Sequence, residues 1–343
     1  MTKFPLHALD DIAQLDLPAP DAAAMAAARD RQAVLTKPPG SLGRLEDLAV
    51  FMAGWQGRTR PRIDHAQALV FAGNHGICAQ GVNPFPQAVT GLMVANFQAG
   101  GAAINQLCLM AGADLLVVPL DLDCPTGDFT EGPAMTARDC LDALNTGAAA
   151  VDSAADVIVL GEMGIGNSTV SAALAHAVLG GTAADWVGRG TGSDAAGLAR
   201  KCDVVTRGVA RHAGLDPLAL LAALGGREQA AICGAVLAAR AARIPVILDG
   251  YICTAAVAPL HATRPGVLDH CLIGHASAEP GHARLCAALD KAPLLDLGMA
   301  LGEGTGAALA LNVLRGALAC HDGMATFAEA GVAGAPDDAA GAA

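Results

Sequence analysis

Short apolar runs alternate along the chain with longer stretches in which apolar residues recur at helical spacing. Residues 68–72, 114–119, 156–160, 245–248 and 268–273 are the clearest runs, with a shorter one at 294–297. Their length and their Val, Ile and Leu content predict strands buried on both faces. Helices are expected over 22–35, 88–110, 137–151, 170–178, around Arg200 and Lys201, over 227–242 and over 307–319. Leu45, Leu48 and Phe51 start a further helical stripe, with Ser41 as a cap. Residues 124–136 read as an irregular surface loop. This alternation predicts an α/β fold: a three-layer, mostly parallel, Rossmann-like sheet covered by helices on both faces. A second, smaller helical domain is expected from residues 1–60 plus about 305–343, flanking a large α/β domain of about 61–304.

In sheets of this kind, ligands bind beyond the carboxyl ends of the strands. The polar, glycine-rich loops here follow residues 72, 160, 248 and 273, and so share one edge. The fullest is Gly161-Glu162-Met163-Gly164-Ile165-Gly166-Asn167-Ser168-Thr169, between a strand and a helix start. Glycines permit close backbone approach, and free N–H groups at a helix start favour an anion such as a phosphate. The segment nearly matches the phosphate loop of nucleoside triphosphatases, but Asn167 stands where that pattern has lysine. A phosphate monoester fits better than a triphosphate. The alternative is a tight turn with no ligand.

Composition narrows the function. The formal net charge of −12 argues against nucleic acid and against anionic membrane surfaces. Aromatic residues make up only 3% of the chain, so its helices are expected to pack on small side chains. Ten cysteines without a Cys-x-x-Cys pair suggest buried thiols in a reducing, cytoplasmic setting. The N-terminus lacks the apolar core of a signal peptide, and no apolar run is long enough to span a membrane.

Other residues admit two readings each. Glu162 and Glu303 are flanked by glycine; each is either a cap and dipole partner or a general base. His75, His270, His275 and His282 lack metal-ligand spacing, so hydrogen-bonding roles are expected. Asp249 ends a strand and holds either a ligand or a helix start. Cys253 shows no sign of thiolate activation. Lys37 and Arg44 are either solvated or part of an arm folding over a pocket or a partner subunit.

Taken together, the segments 37–43, 73–76, 161–167, 188–192, 249–251, 274–275 and 301–307 resemble the nicotinate-nucleotide–dimethylbenzimidazole phosphoribosyltransferase family of cobalamin biosynthesis. Together these motifs are highly specific, although each alone is weak. The resemblance covers nearly the whole chain in order. It implies transfer of the phosphoribosyl group of nicotinate mononucleotide to 5,6-dimethylbenzimidazole, by a homodimer with no cofactor and no metal. It implies that Glu303 is the catalytic base and Glu162 a second pocket glutamate. It places phosphate contacts at Gly164, Asn167, Ser168, Gly190, Lys201 and Ser277, and assigns Gln87 to the base pocket. Asn74 departs from the aspartate common in the family, which leaves a charge role at that position open. The competing readings are a nucleotide hydrolase, with water as acceptor, and a nucleotide-sensing module without catalysis.

Overall fold

The computed structural model describes residues 4–190 and 192–333. Its strands are β1 (Ala66–Ala72), β2 (Ala113–Pro119), β3 (Val157–Met163), β4 (Val246–Leu248), β5 (Cys271–His275) and β6 (Pro293–Leu295). All pair in parallel, in the order β2-β1-β3-β4-β5-β6. The register sets Leu69 opposite Leu116 on one side and Leu160 on the other, then Leu160 opposite Leu248. β1 is buried throughout, as its unbroken apolar run requires, whereas the edge strand β2 is partly exposed.

The strand order reverses between β1 and β3. Loops leaving the two strands diverge there and open a crevice at the carboxyl edge. The loops are joined at their roots, where the Gly73 N–H donates to the Met163 carbonyl at 3.0 Å.

Small residues decide how the helices cover the sheet. A Cβ at Gly147 would lie 1.9 Å from the Ala231 carbonyl oxygen, and one at Gly234 only 1.8 Å from that of Leu144. The helices Ala137–Ala149 and Arg227–Ala241 therefore meet backbone to backbone. This close approach suits a chain so poor in aromatics.

Two compact units are present. The large one comprises Met1–Pro18 and His65–Leu311, and the other Ala19–Asp64 and Asn312–Ala343. The described residues before Ala19 thus sort with the sheet, not with the helical unit to which the sequence reading assigns residues 1–60. Within the helical unit, Gly54 makes room for the Met25 side chain, and Arg31 Nε donates to the His321 carbonyl at 2.7 Å. Arg315 Nη1 donates to the Ile63 carbonyl at 2.7 Å.

Several local expectations need correction. Residues 88–110 form two helices, Ala88–Gln98 and Ala103–Ala111, broken at Gly100, whose φ is +79°. β3 continues through Glu162 and Met163, because pairing with β1 persists to Ala72. Similarly, β5 begins at Cys271 and takes in Gly274 and His275. A helix at Pro217–Leu224, capped by Asp216, is absent from the sequence reading. The cap at Arg44–Gln56 is Gly43 at φ +53°, not Ser41. Lys37 is not solvated: it is buried in an ion pair with Glu46 at 2.8 Å. Thr191 and residues 334–343 lie outside the described residues. No helix among the described residues is long and apolar enough to cross a membrane.

Candidate active site

The carboxyl ends of β3, β4 and β5 and the turn before the helix Thr305–Gly323 enclose one cleft. Among its lining residues are Glu162, Gly164, Asn167, Ser168, Gly190, Lys201, Ser277 and Glu303, which are eight of the nine site residues expected from sequence. The ninth, Gln87, lines an adjoining depression with Phe85 and Pro86. Asn83 and Pro84 border both hollows, and the Gln87 amide donates to the His75 carbonyl.

One side of the cleft gathers a helix start and an ammonium. The helix Asn167–Leu179 starts at Gly166, φ +96°, with no side chain capping its N-terminus. Its positive end therefore faces the cleft uncompensated. A Cβ at Gly166 would strike Cys78 Sγ at 2.7 Å, so glycine is required on both counts. Lys201 reaches in from the helix Ala195–Arg211 and donates from Nζ to Ser168 Oγ at 3.2 Å. Burial lowers its pKa, and nearby Glu279 opposes that shift. The Asn167 side chain is turned elsewhere, donating to Glu162.

The other side carries carboxyls. Glu303 sits in the left-handed region at φ +63° and is 7% exposed. Burial, with Asp249 adding repulsion, pushes its pKa to about 6. Glu162 is more deeply buried, and its pKa is driven well above the usual range by desolvation and then by Asp249, Glu228 and Glu303. Both carboxyls are thus held above the usual carboxylate range, Glu162 more strongly than Glu303.

Asp249 resolves its two readings in favour of the helix start. Its Oδ2 accepts from the Gly304 N–H at 3.1 Å and its Oδ1 from the Ala307 N–H at 2.9 Å. The residue just after β4 thereby anchors the turn that carries Glu303. His275 Nε2 stands 3.6 Å from Asp249 Oδ1. His282 is held neutral by burial, with a pKa of about 4, and accepts from the Ser277 N–H at 2.8 Å. Burial takes His270 down to about 3, and its ring bonds the Val236 carbonyl. Cys253 is buried with its thiol pKa raised, so it packs and does not react. No group of His, Cys, Asp or Glu among the described residues is arranged to hold a metal ion.

Two acids, Glu228 buried and Glu279 half-buried, escape the sequence reading. Glu228 lies 3.2 Å from His75 Nε2, without the alignment of a hydrogen bond, beneath the glycine loop. Glu279 reaches the cleft from the loop after β5 and accepts from the Gly190 N–H at 2.8 Å. Neither has a glycine-flanked setting or a motif spacing that marks it in sequence.

A family model described as phosphoribosyltransferase matches residues 17–332. The chain is 65% identical to the nicotinate-nucleotide–dimethylbenzimidazole phosphoribosyltransferase of Rhodobacter capsulatus, over 92% of this chain and 95% of the relative. It is 62% identical to the enzyme of that name from Ruegeria pomeroyi, over 95% of this chain and 99% of the relative. Among solved structures, it is similar to the enzyme of the same name from Thermus thermophilus. The TM-score is 0.85 and the identity 41%, over 92% of this chain and 99% of that one.

Proposed function

The chain belongs to the nicotinate-nucleotide–dimethylbenzimidazole phosphoribosyltransferase family, and from that premise we propose how its own residues carry out the transfer. The substrates are nicotinate mononucleotide and 5,6-dimethylbenzimidazole; the products are α-ribazole 5′-phosphate and nicotinate, for the lower ligand of cobalamin. The observation that carries this reading is that Glu303 and the anion-holding group of Ser168, Gly190 and Lys201 line the same cleft.

The mononucleotide's phosphate takes the uncapped helix start and the Lys201 ammonium. That leaves its anomeric carbon toward the carboxyl side. One benzimidazole nitrogen attacks this carbon as the bond to the pyridinium nitrogen breaks. The bonding pair returns to the nicotinate ring, which leaves neutral at its nitrogen. Attack puts positive charge on the benzimidazole, and its other N–H passes a proton to Glu303. A base tuned to about 6 suits this step at neutral pH. Glu162, whose pKa is raised by burial, positions the reactants.

Attack opposite the departing ring inverts the anomeric centre from β to α without a covalent enzyme intermediate. Orientation of two rings in one cleft supplies the rest of the acceleration. The depression beside Gln87 adjoins the cleft and is the place proposed for part of the acceptor ring. The working form proposed is a homodimer.

The test is a product assay with nicotinate mononucleotide and a panel of benzimidazoles, purines and phenols, with the anomeric configuration determined by NMR. One α-riboside per nicotinate is expected. Nicotinate released at the same rate without acceptor would instead indicate a hydrolase.

A further inference from the structure

Within the anion-holding half of the cleft, one group has the wrong sign. Glu279 Oε1 accepts from the Gly190 N–H at 2.8 Å, and the carboxyl shares its surroundings with the Lys201 ammonium. Both Gly190 and Lys201 are the donors proposed for the phosphate. The other oxygen, Oε2, is buried and has no hydrogen-bond partner among the described residues. Burial raises the pKa of this carboxyl, while Gly190 and Lys201 pull it back down.

The place for this carboxyl is built in. A Cβ at Gly188 would lie 1.9 Å from Glu279 Oε2 and 2.7 Å from Pro280 Cδ. Gly188 has no positive φ, so backbone freedom does not account for glycine there. The absent side chain accounts for it: the space is taken by the Glu279 carboxyl.

We infer that Glu279 is a displaceable internal anion, which occupies the Gly190 N–H beside Lys201 in the free enzyme and must yield it when the mononucleotide binds. The inference rests on the phosphate reading given above. A carboxylate and a phosphate dianion cannot both hold the Gly190 N–H and face the Lys201 ammonium, because like charges at that range repel strongly. The free enzyme therefore keeps a counter-charge near the buried Lys201 ammonium, whose own bonds go to Ser168 Oγ and the Gly188 carbonyl, and only a ligand with greater charge takes over the Gly190 N–H. Glu279 thereby acts as a specificity element: it sets a threshold that weakly charged or uncharged ribosides do not meet.

The experiment is calorimetric titration of the full-length protein with nicotinate mononucleotide, nicotinate riboside and inorganic phosphate. Wild type, Glu279→Gln and Lys201→Ala are compared. Glutamine keeps an oxygen for the Gly190 N–H and removes the charge. Mononucleotide and inorganic phosphate are expected to bind Glu279→Gln about tenfold more tightly, and more so at low salt, with riboside affinity unchanged. Equal or weaker mononucleotide binding by Glu279→Gln overturns the inference, as does a parallel change for the riboside. If wild type prefers mononucleotide to riboside and Lys201→Ala loses that preference, the phosphate reading stands even where this inference fails. Equal binding of mononucleotide and riboside by wild type removes both. Should Glu279→Gln not accumulate as folded protein, Glu279→Ala carries the same comparison.

Discussion

A methyl group at Gly161 would sit 2.6 Å from the carbonyl carbon of Glu303 and 2.4 Å from the Gly304 nitrogen. Gly161 lies inside β3 with no positive φ, so its lack of a side chain serves proximity, not backbone freedom. The turn carrying the proposed base lies directly on the strand carrying Glu162. Gly161→Ala must push the two apart. A fall in kcat of about 10²-fold is expected, with overpacking costing about 1–3 kcal/mol of stability. Steady-state kinetics and a denaturant melt of the same sample check it; unchanged kcat would mean that the turn's position is immaterial.

Glu303→Gln removes the proton acceptor and keeps the shape. Turnover is expected to fall by about 10²–10⁴, while calorimetry still detects both substrates. Near-normal turnover would exclude Glu303 as the base.

The pH profile carries a sign. Glu303 works as a base only when ionised, and its pKa stands at about 6. At limiting substrate, kcat/KM is expected to hold above neutrality and to fall tenfold per unit once pH drops below about 6. A profile flat down to pH 4.5 contradicts the assignment.

Stability should move the other way. A carboxyl raised above its unfolded value favours the folded state fully at low pH, and that contribution is lost as pH rises through the folded pKa. For Glu303 the window runs from 4.5 to about 6. Glu303→Gln is therefore expected to melt higher than wild type at pH 8 and to lose that advantage by pH 4. Melting curves at the two pH values decide it, and equal shifts at both would remove the electrostatic cause.

Asp249 accepts two backbone N–H groups at the head of the helix that follows Glu303. Asparagine offers one acceptor oxygen and turns a donor toward the other N–H. Asp249→Asn is expected to lower kcat by about 10–100-fold through misplacement of Glu303. Because Asp249 also adds to the raised pKa of Glu303, the acid limb should move toward lower pH. Loss of rate with an unmoved limb would leave only the structural role.

Local rules reach some of these features and not others. The strand at 157–163 is legible as far as Leu160, because apolar content marks it. Its continuation through Gly161 and Glu162 is not, since glycine and glutamate are poor strand formers held here by pairing with β1. The break at Gly100 is hidden because the apolar spacing runs across it.

Order along the chain sufficed for the alternation of strands and helices, the shared edge of the glycine loops, and a set of motifs dense enough to point to one family. Those properties depend on neighbours within a few residues, where side-chain period and backbone freedom act directly. The electrostatics did not follow from it. That the Glu162 carboxyl is raised further than that of Glu303, that Asp249 secures a turn more than fifty residues away, and that Glu279 sits on the Gly190 N–H all depend on distance and burial. Charges interact through space and through the dielectric around them, and folding alone decides which of them meet.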